Sequence, residues 1–159
     1  MKIKLICVGR LKEDFYKGAA AEYSKRLSRF HKFELIEIPE EIKSDSPGEA
    51  EIKKALDTEA SKILKALGKN AFVISLAIEG SHMSSEAFAK RLKALADTGK
   101  SEADFIIGGS YGLSDKVLSA SDLLLSFSKM TFTYQLARVI FLEQIYRASK
   151  INAGETYHK

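Results

Sequence analysis

The sequence has few of the residues that usually carry metal or covalent chemistry. It contains one cysteine, Cys7, so no disulfide can form within the chain. Cys7 lies in an apolar, strand-like run, where an inert buried thiol is expected rather than a reactive one. The three histidines, His31, His82 and His158, are scattered and show no spacing typical of metal ligands. We therefore predict no metal site.

Several patterns that define protein classes are also absent. No apolar run reaches the roughly 18 residues of a membrane-spanning helix. Residues 1–4 (MKIK) lead into a strand-like run without a signal-peptide cleavage pattern. Together with the single cysteine, this predicts a cytoplasmic protein. There is no Gly-x-Ser-x-Gly elbow, no P-loop and no dinucleotide fingerprint, which argues against serine hydrolases and the common nucleotide-binding enzymes.

The net charge of +4 is mild but unevenly distributed. Residues 10–32 carry seven Lys or Arg against three acids, and residues 34–51 carry seven acids against one lysine. A basic face can contact phosphate, although a solvated helix surface explains the same charges.

Strand-like and helix-like segments alternate along the 159 residues. Apolar runs predict strands at 2–9, 33–39, 71–78, 104–107 and 123–127. Helical spacing predicts helices at 12–30, 46–67, 84–96, 114–120 and 133–150. The second helix is expected to open with a capping box at Ser46 and with Pro47 at its first position. The alternation predicts one α/β domain, with a mostly parallel sheet and helices on both faces.

Three unusual loops are expected beyond the carboxyl ends of the strands, where such sheets bind ligands: residues 76–81, 108–113 and 127–132. The second contains Gly108, Gly109 and Gly112, which let backbone amides approach a ligand. The third holds two phenylalanines and a methionine, which an ordinary turn does not need. We therefore expect this loop to wrap a ligand. S-adenosylmethionine fits, because its methyl carbon is already activated and needs neither a metal nor a protein nucleophile.

Several separated motifs resemble the bacterial large-subunit ribosomal RNA pseudouridine N3-methyltransferases, which are small members of the SPOUT class. The resemblance covers essentially the whole chain. The motifs are residues 4–12 (KLICVGRLK), 22–27 (EYSKRL), 105–113 (FIIGGSYGL), 125–132 (LSFSKMTF), 143–148 (EQIYRA) and 157–159 (YHK).

This resemblance implies a single SPOUT domain over residues 1–159 with a C-terminal trefoil knot. It further implies a homodimer that uses S-adenosylmethionine to methylate N3 of a pseudouridine on the assembled ribosome. The cofactor-binding residues carried over by matching motif are Leu76, Gly108, Phe127, Ser128, Lys129, Met130, Thr131 and Phe132.

The resemblance also implies that Arg147, Tyr157 and His158 position the substrate and stabilise charge, with the tail of one chain reaching the site of the other. The alternative is that Arg147 is a surface partner of Glu143, one turn earlier, and that the tail has no fixed structure. One departure from the family pattern is Thr133-Tyr134, where Pro-His is usual. Thr133 is expected to cap the last helix instead.

The last predicted helix is apolar around much of its circumference, with nine apolar residues among the thirteen of 136–148. Covering a sheet needs only a stripe of about 100°. We therefore predict a symmetric homodimer with this helix at the two-fold interface.

Two other functions remain open from the residues alone. A flavodoxin-like protein could bind a phosphorylated cofactor through Ser126, Ser128 and Thr131 before a helix. A non-catalytic, ribosome-associated module could bind RNA through the basic helix at 12–30.

Overall fold

A computed structural model describes every residue from Met1 to Lys159. The elements in chain order are β1 (Lys2–Val8), α1 (Asp14–Leu27), β2 (Lys32–Ile38), α2 (Glu49–Ala66), β3 (Phe72–His82), α3 (Ser85–Asp97), β4 (Glu102–Ile107), α4 (Asp115–Ser119), β5 (Leu123–Ser126) and α5 (Tyr134–Asn152). The strands form one parallel sheet in the order β2-β1-β4-β3-β5. The predicted α/β class and parallel sheet are confirmed. No helix is long and apolar enough to cross a bilayer.

Different helices cover the two faces of the sheet, because successive side chains of a strand point to opposite faces. In β1, Leu5 belongs to the larger apolar core, which also contains residues of α1, α3 and α5. Its neighbour Ile6 belongs to the smaller core, which contains residues of α2 and α4. The prediction of helices on both faces is therefore also confirmed.

Strand β3 is longer than predicted and contains a bulge. Leu76 and Ser81 both align with Leu125 of β5, so the residues between them leave the hydrogen-bonded ladder. Gly80 permits the close return of the strand, since a Cβ there would lie 2.7 Å from the backbone of Leu124. The segment 76–81 is thus a bulge within a strand rather than a loop after one.

Helix α2 begins later than predicted. Gly48 is its N-cap, no side chain caps it, and the helix starts at Glu49. The expected capping box at Ser46, with Pro47 as the first helical residue, is therefore wrong. Ser46 lies in a bend, and Pro47 and Gly48 separate it from the first helical residue, so it is not the N-cap. The predicted cap of α3 is confirmed at Ser84, whose side chain accepts a hydrogen bond from the Ala87 amide at 3.2 Å.

Helix α5 is covered by its own chain more completely than its sequence suggested. It packs against both α1 and α3, and Phe141, Leu142 and Ile145 are buried. Among the nine apolar residues at 136–148, those left exposed or half-buried are Leu136, Val139 and Ile140. The breadth of its apolar surface therefore does not by itself require a partner chain. The apolar surface left for a partner lies in the first half of the helix.

His31 follows α1 and is held in its neutral form by burial. Ser149 Oγ donates to the Ile145 carbonyl at 2.7 Å, so it accepts from His31 Nε2 at 2.8 Å. The other ring nitrogen, Nδ1, is buried and has no hydrogen-bond partner. Burial, with a smaller effect of the positive N-terminus, lowers the pKa of His31 to about 4. A protonated ring would place an unpaired N–H at Nδ1.

We predict that His31 makes the fold less stable in acid. Its pKa is about 4 when folded and about 6.5 when unfolded. The unfolded chain therefore takes up the proton first, and stability falls as the pH drops from 6.5 towards 4. Thermal unfolding across this range should show a smaller decline for His31→Gln, which cannot titrate. His82→Gln, at an exposed position, is the control. Equal declines in both variants would contradict the prediction.

Candidate active site

The largest cavity near the expected loops lies at the carboxyl ends of β3, β4 and β5, with a volume of about 860 Å³. The bulge of β3, the glycine-rich loop after β4 and the loop after β5 all line it, as predicted. Of its 23 lining residues, 12 are hydrophobic. Seven of the eight predicted cofactor residues line the cavity: Leu76, Gly108, Phe127, Ser128, Met130, Thr131 and Phe132. Lys129 is exposed and does not line the cavity.

The loop after β4 folds back on itself in a way that only glycine permits. Gly109 and Gly112 form an isolated bridge, and the Gly112 amide donates to the Gly109 carbonyl at 3.1 Å. A Cβ on Gly108 would lie 2.6 Å from the carbonyl carbon of Gly112, which is backbone and cannot move aside easily. Gly112 itself has a φ of +78°, a left-handed conformation. The backbone therefore forms this wall of the cavity.

The loop after β5 is shaped by its own hydroxyl groups. Ser126 Oγ donates to the Ser128 carbonyl at 3.0 Å, and Ser128 Oγ accepts from the Met130 amide at 3.0 Å. The Phe127 ring packs 5.6 Å from that of Phe141, while the Met130 side chain is 74% exposed. The Ser126 hydroxyl proton is used within the loop, whereas the Ser128 hydroxyl accepts there and can still donate to a ligand.

The start of α5 is fastened to the turn after β1. Thr133 caps the helix through its hydroxyl, which accepts from the Leu136 amide at 3.3 Å, as predicted. The Tyr134 hydroxyl donates to the Arg10 carbonyl at 3.2 Å. Its ring fills the space beside Gly9, where a Cβ would lie 2.9 Å away. The Thr133-Tyr134 pair thus supplies both a cap and an anchor at the cavity rim.

Sequence reasoning missed Arg138, whose side chain is 1% exposed. Its Nη1 donates to Glu37 Oε1 at 2.6 Å and its Nη2 to the Gly9 carbonyl at 2.7 Å, while Nε has no partner. The sequence indicated Arg138 only as the single charged residue within the apolar first half of the last helix. The neighbouring Cys7 is buried, which raises the pKa of its thiol to about 12 despite the Arg138 cation. The predicted burial of Cys7 is confirmed.

Arg147, Tyr157 and His158 form a second cluster, which we call the tail cluster. The Arg147 guanidinium lies 4.8 Å from the centre of the Tyr157 ring. Its Nη1 donates to His158 Nδ1 at 3.3 Å, and His158 Nε2 donates to Glu86 Oε1 at 2.7 Å. These partners assign a neutral ring with its proton on Nε2.

Two carboxylates, Glu143 and Glu86, accept hydrogen bonds from the tail cluster. Glu143 forms an ion pair with Arg147 and accepts from the Tyr157 hydroxyl at 3.0 Å. Burial, followed by hydrogen bonds to Tyr23 and Glu143, raises the pKa of Tyr157. The backbone amide of Glu86, the Ser84 hydroxyl and His158 lower the pKa of Glu86 to about 2. The Arg147–Glu143 ion pair, which the alternative without a substrate role predicted, is present. The tail, which that alternative left without fixed structure, is held in place by contacts such as the hydrogen bond from Tyr157 to Glu143.

The tail cluster and the cavity of the same chain are separate. None of Arg147, Tyr157 and His158 lines that cavity. A smaller cleft of about 250 Å³ shares Ser126 and Phe127 with the cavity and includes none of the tail cluster. No group of three or more His, Cys, Asp or Glu residues is placed to hold a metal ion.

The chain is an α/β protein with a cavity at the carboxyl ends of its parallel strands, the place where such sheets usually bind ligands. Residues 1–158 match the family described as "Predicted SPOUT methyltransferase". The chain belongs to the SPOUT methyltransferase family, which confirms the resemblance stated above.

Relatives and solved structures agree with this family. "Ribosomal RNA large subunit methyltransferase H" of Streptococcus thermophilus (strain CNRZ 1066) is 52% identical over the full length of both chains. The protein of the same name from Streptococcus suis (strain 05ZYH33) is 47% identical, also over both full lengths. The fold is similar to that of a "Probable Methyltransferase" from Bordetella pertussis Tohama I. That match has a TM-score of 0.59 and 16% identity, and covers 93% of this chain and 96% of the other.

We predict that the two partners of the Arg138–Glu37 pair contribute unequally to stability. Glu37→Gln leaves a buried cation without a counter-charge and should cost about 3 kcal/mol. Arg138→Met leaves a carboxylate that is 36% exposed and loses hydrogen bonds, which should cost about 1–2 kcal/mol. Urea unfolding measures both. The double variant should resemble Arg138→Met alone, and additive losses would contradict the coupling.

Proposed function

We propose that this protein transfers the methyl group of S-adenosylmethionine to N3 of a pseudouridine in large-subunit ribosomal RNA, acting on the assembled ribosome in the cytoplasm. The observation that carries the proposal is the full-length identity of about half to relatives named as large-subunit ribosomal RNA methyltransferases. Close similarity over the entire chain supports the same activity, because the site residues come from segments spread from 76 to 158.

The cavity fits S-adenosylmethionine in size and chemistry. Its volume of about 860 Å³ lies within the usual range of ligand sites. Apolar side chains from Leu76, Phe127 and Phe132 would hold the adenine, and the backbone around Gly108 would offer polar groups to its edge. When bound, the cofactor supplies a methyl carbon activated by its positive sulfur. Lys129 does not line the cavity and would act from its rim.

The C-terminal trefoil knot is part of the proposal. In support, the β3 bulge, the folded-back loop after β4 and the loop after β5 converge on one cavity. The chain then returns across the sheet, where Tyr134 contacts the turn after β1. A knotted loop would hold apolar residues such as Met130 around a ligand, which explains their presence in a turn.

In the proposed reaction the tail cluster acts on the target base. N3 of a uracil-like ring lies between two carbonyl groups and must lose its proton to attack the methyl carbon. Arg147 has five N–H groups, of which three are engaged with Glu143 and His158. The two others can donate to a base carbonyl and favour the anion. Tyr157 would stack on the base. His158 already accepts at Nδ1, so it positions Arg147 and is not assigned as a base.

The proposed active form is a homodimer of single-domain chains. Leu136, Val139 and Ile140 leave apolar surface on the first half of α5 for the two-fold contact. The separation of the tail cluster from the cavity of its own chain supports a composite site, in which one chain binds the cofactor and the partner's tail contacts the base.

The function is tested with labelled S-adenosylmethionine and ribosomes that lack the modification. We expect one methyl group per large subunit, recovered after digestion as N3-methylpseudouridine, and much less transfer to naked RNA. Ribosomes with uridine at the target position are the matched control. A methylated product other than a pseudouridine, or equal transfer to naked RNA, would contradict the proposed substrate.

The composite site is tested by mixing two inactive variants. Gly108→Arg blocks the cavity because any side chain there meets the Gly112 backbone, and a second variant lacks residues 157–159. After subunit exchange, half of the dimers are mixed and each has one intact site, so roughly a quarter of normal activity should return. Gly18→Arg, at a position with open space, should stay active. No recovery despite demonstrated exchange would show that each site is self-contained.

A further inference from the structure

A shallow depression of about 660 Å³ lies on the outer side of α2 and α4, on the sheet face opposite α5. Its charged lining is almost entirely of one sign, and only one of its nine lining residues is hydrophobic. We call it the lysine groove; its charged residues are Lys53, Lys54, Asp57, Lys62, Lys65 and Lys116.

The lysines follow the axis of α2. Lys54, Thr58, Ser61 and Lys65 are spaced four, three and four residues apart, so they lie in one stripe along the helix. From Lys54 to Lys65 the stripe is about 17 Å long. Lys116 of α4 adds a further positive charge on the other side of the groove. An elongated row of point charges suits an extended anion better than a compact one.

Internal ion pairs leave most of this charge uncompensated. Lys62 pairs with Glu41, and Lys116 pairs with Asp57 at 3.0 Å. Lys53, Lys54 and Lys65 are exposed and form no ion pair. Packing does not require these three, because α2 buries other residues against the sheet, among them Ala60 and Ile63.

The groove is connected to the proposed site through α4. Leu118 of this five-residue helix lines the cavity, while Lys116 lines the groove. The groove would remain accessible in a dimer formed through α5, since α2 and α4 cover the opposite face. A large polyanion contacting the cavity can therefore extend over α4 into the groove.

We propose that the lysine groove binds the phosphate backbone of the substrate RNA, away from the methylated base. The proposal rests on the function proposed above and deepens it. Lysines neutralise backbone phosphates without reading sequence, and release of counterions makes the affinity depend on salt. A protein partner is less suited, because the groove lacks the aromatic or large apolar anchors on which such interfaces depend.

The test removes the three unpaired lysines with Lys53→Gln, Lys54→Gln and Lys65→Gln in the full-length protein. The matched control is Lys90→Gln, Lys93→Gln and Lys100→Gln, which removes three exposed charges elsewhere. Both triple variants lower the net charge of +4 by the same amount. Binding is measured with ribosomes and with transcribed large-subunit RNA at several salt concentrations, and S-adenosylmethionine affinity is measured by calorimetry.

For the groove variant we expect RNA binding to weaken about tenfold or more at physiological salt, and the salt-dependence slope to fall by about 2–3. KM for ribosomes should rise while kcat and cofactor affinity stay unchanged, and the control variant should behave as the wild type.

Equal losses in both variants would reduce the effect to net charge and overturn the proposal. A loss with ribosomes but not with RNA would assign the groove to an acidic protein instead. If the groove variant binds both ribosomes and RNA as tightly as the wild type, the proposal is also overturned. Failure of methyl transfer by the wild type, with groove-dependent RNA binding retained, would instead refute the proposed reaction.

Discussion

The position of the last helix depends on the buried guanidinium of Arg138. Taking such a group out of water costs several kcal/mol unless its hydrogen bonds are replaced. The Gly9 carbonyl and the Glu37 carboxylate replace two of them, at the carboxyl ends of β1 and β2. Helix α5 can therefore lie on the sheet only where these acceptors meet it. That contact also sets where Thr133 and Tyr134 stand at the rim of the cavity.

The cavity itself is built mainly from backbone and apolar side chains. Gly108 and Gly112 allow one loop to fold back closely, and Ser126 and Ser128 give the next loop its shape through local hydrogen bonds. Its lining holds only two charged residues, Lys12 and Glu79, whereas the tail cluster around Arg147 is a connected group of ionisable side chains. In this chain the surface proposed for the cofactor is thus separate from the groups proposed to act on the base. Bringing them together is the role we assign to the second chain.

The sequence predicted the strands, the helices and the three segments around the cavity, because these depend on local periodicity and on glycine. It did not predict contacts between distant residues. Arg138 finds its partners more than a hundred residues away, at Glu37 and Gly9. The coverage of α5 by α1 and α3 is likewise a property of the assembled layers and cannot be read from the helix alone. The cofactor and tail residues came from family resemblance, since their spacing by itself indicated only an unusual loop and a polar terminus.

The order of the strands has a consequence for how the chain is made. β1 is an interior strand, second in the sheet order, and pairs on one side with β2, which follows it closely, but on the other side with β4, where Lys2 aligns with Glu102. A ribosome adds about 5–20 residues each second. The apolar inner strand of the nascent chain therefore waits several seconds with one edge unpaired, and α5 closes over it only when synthesis is nearly finished. Completion of the larger core therefore waits for the end of the chain, and a truncation there would remove the part of the first strand's cover that α5 supplies.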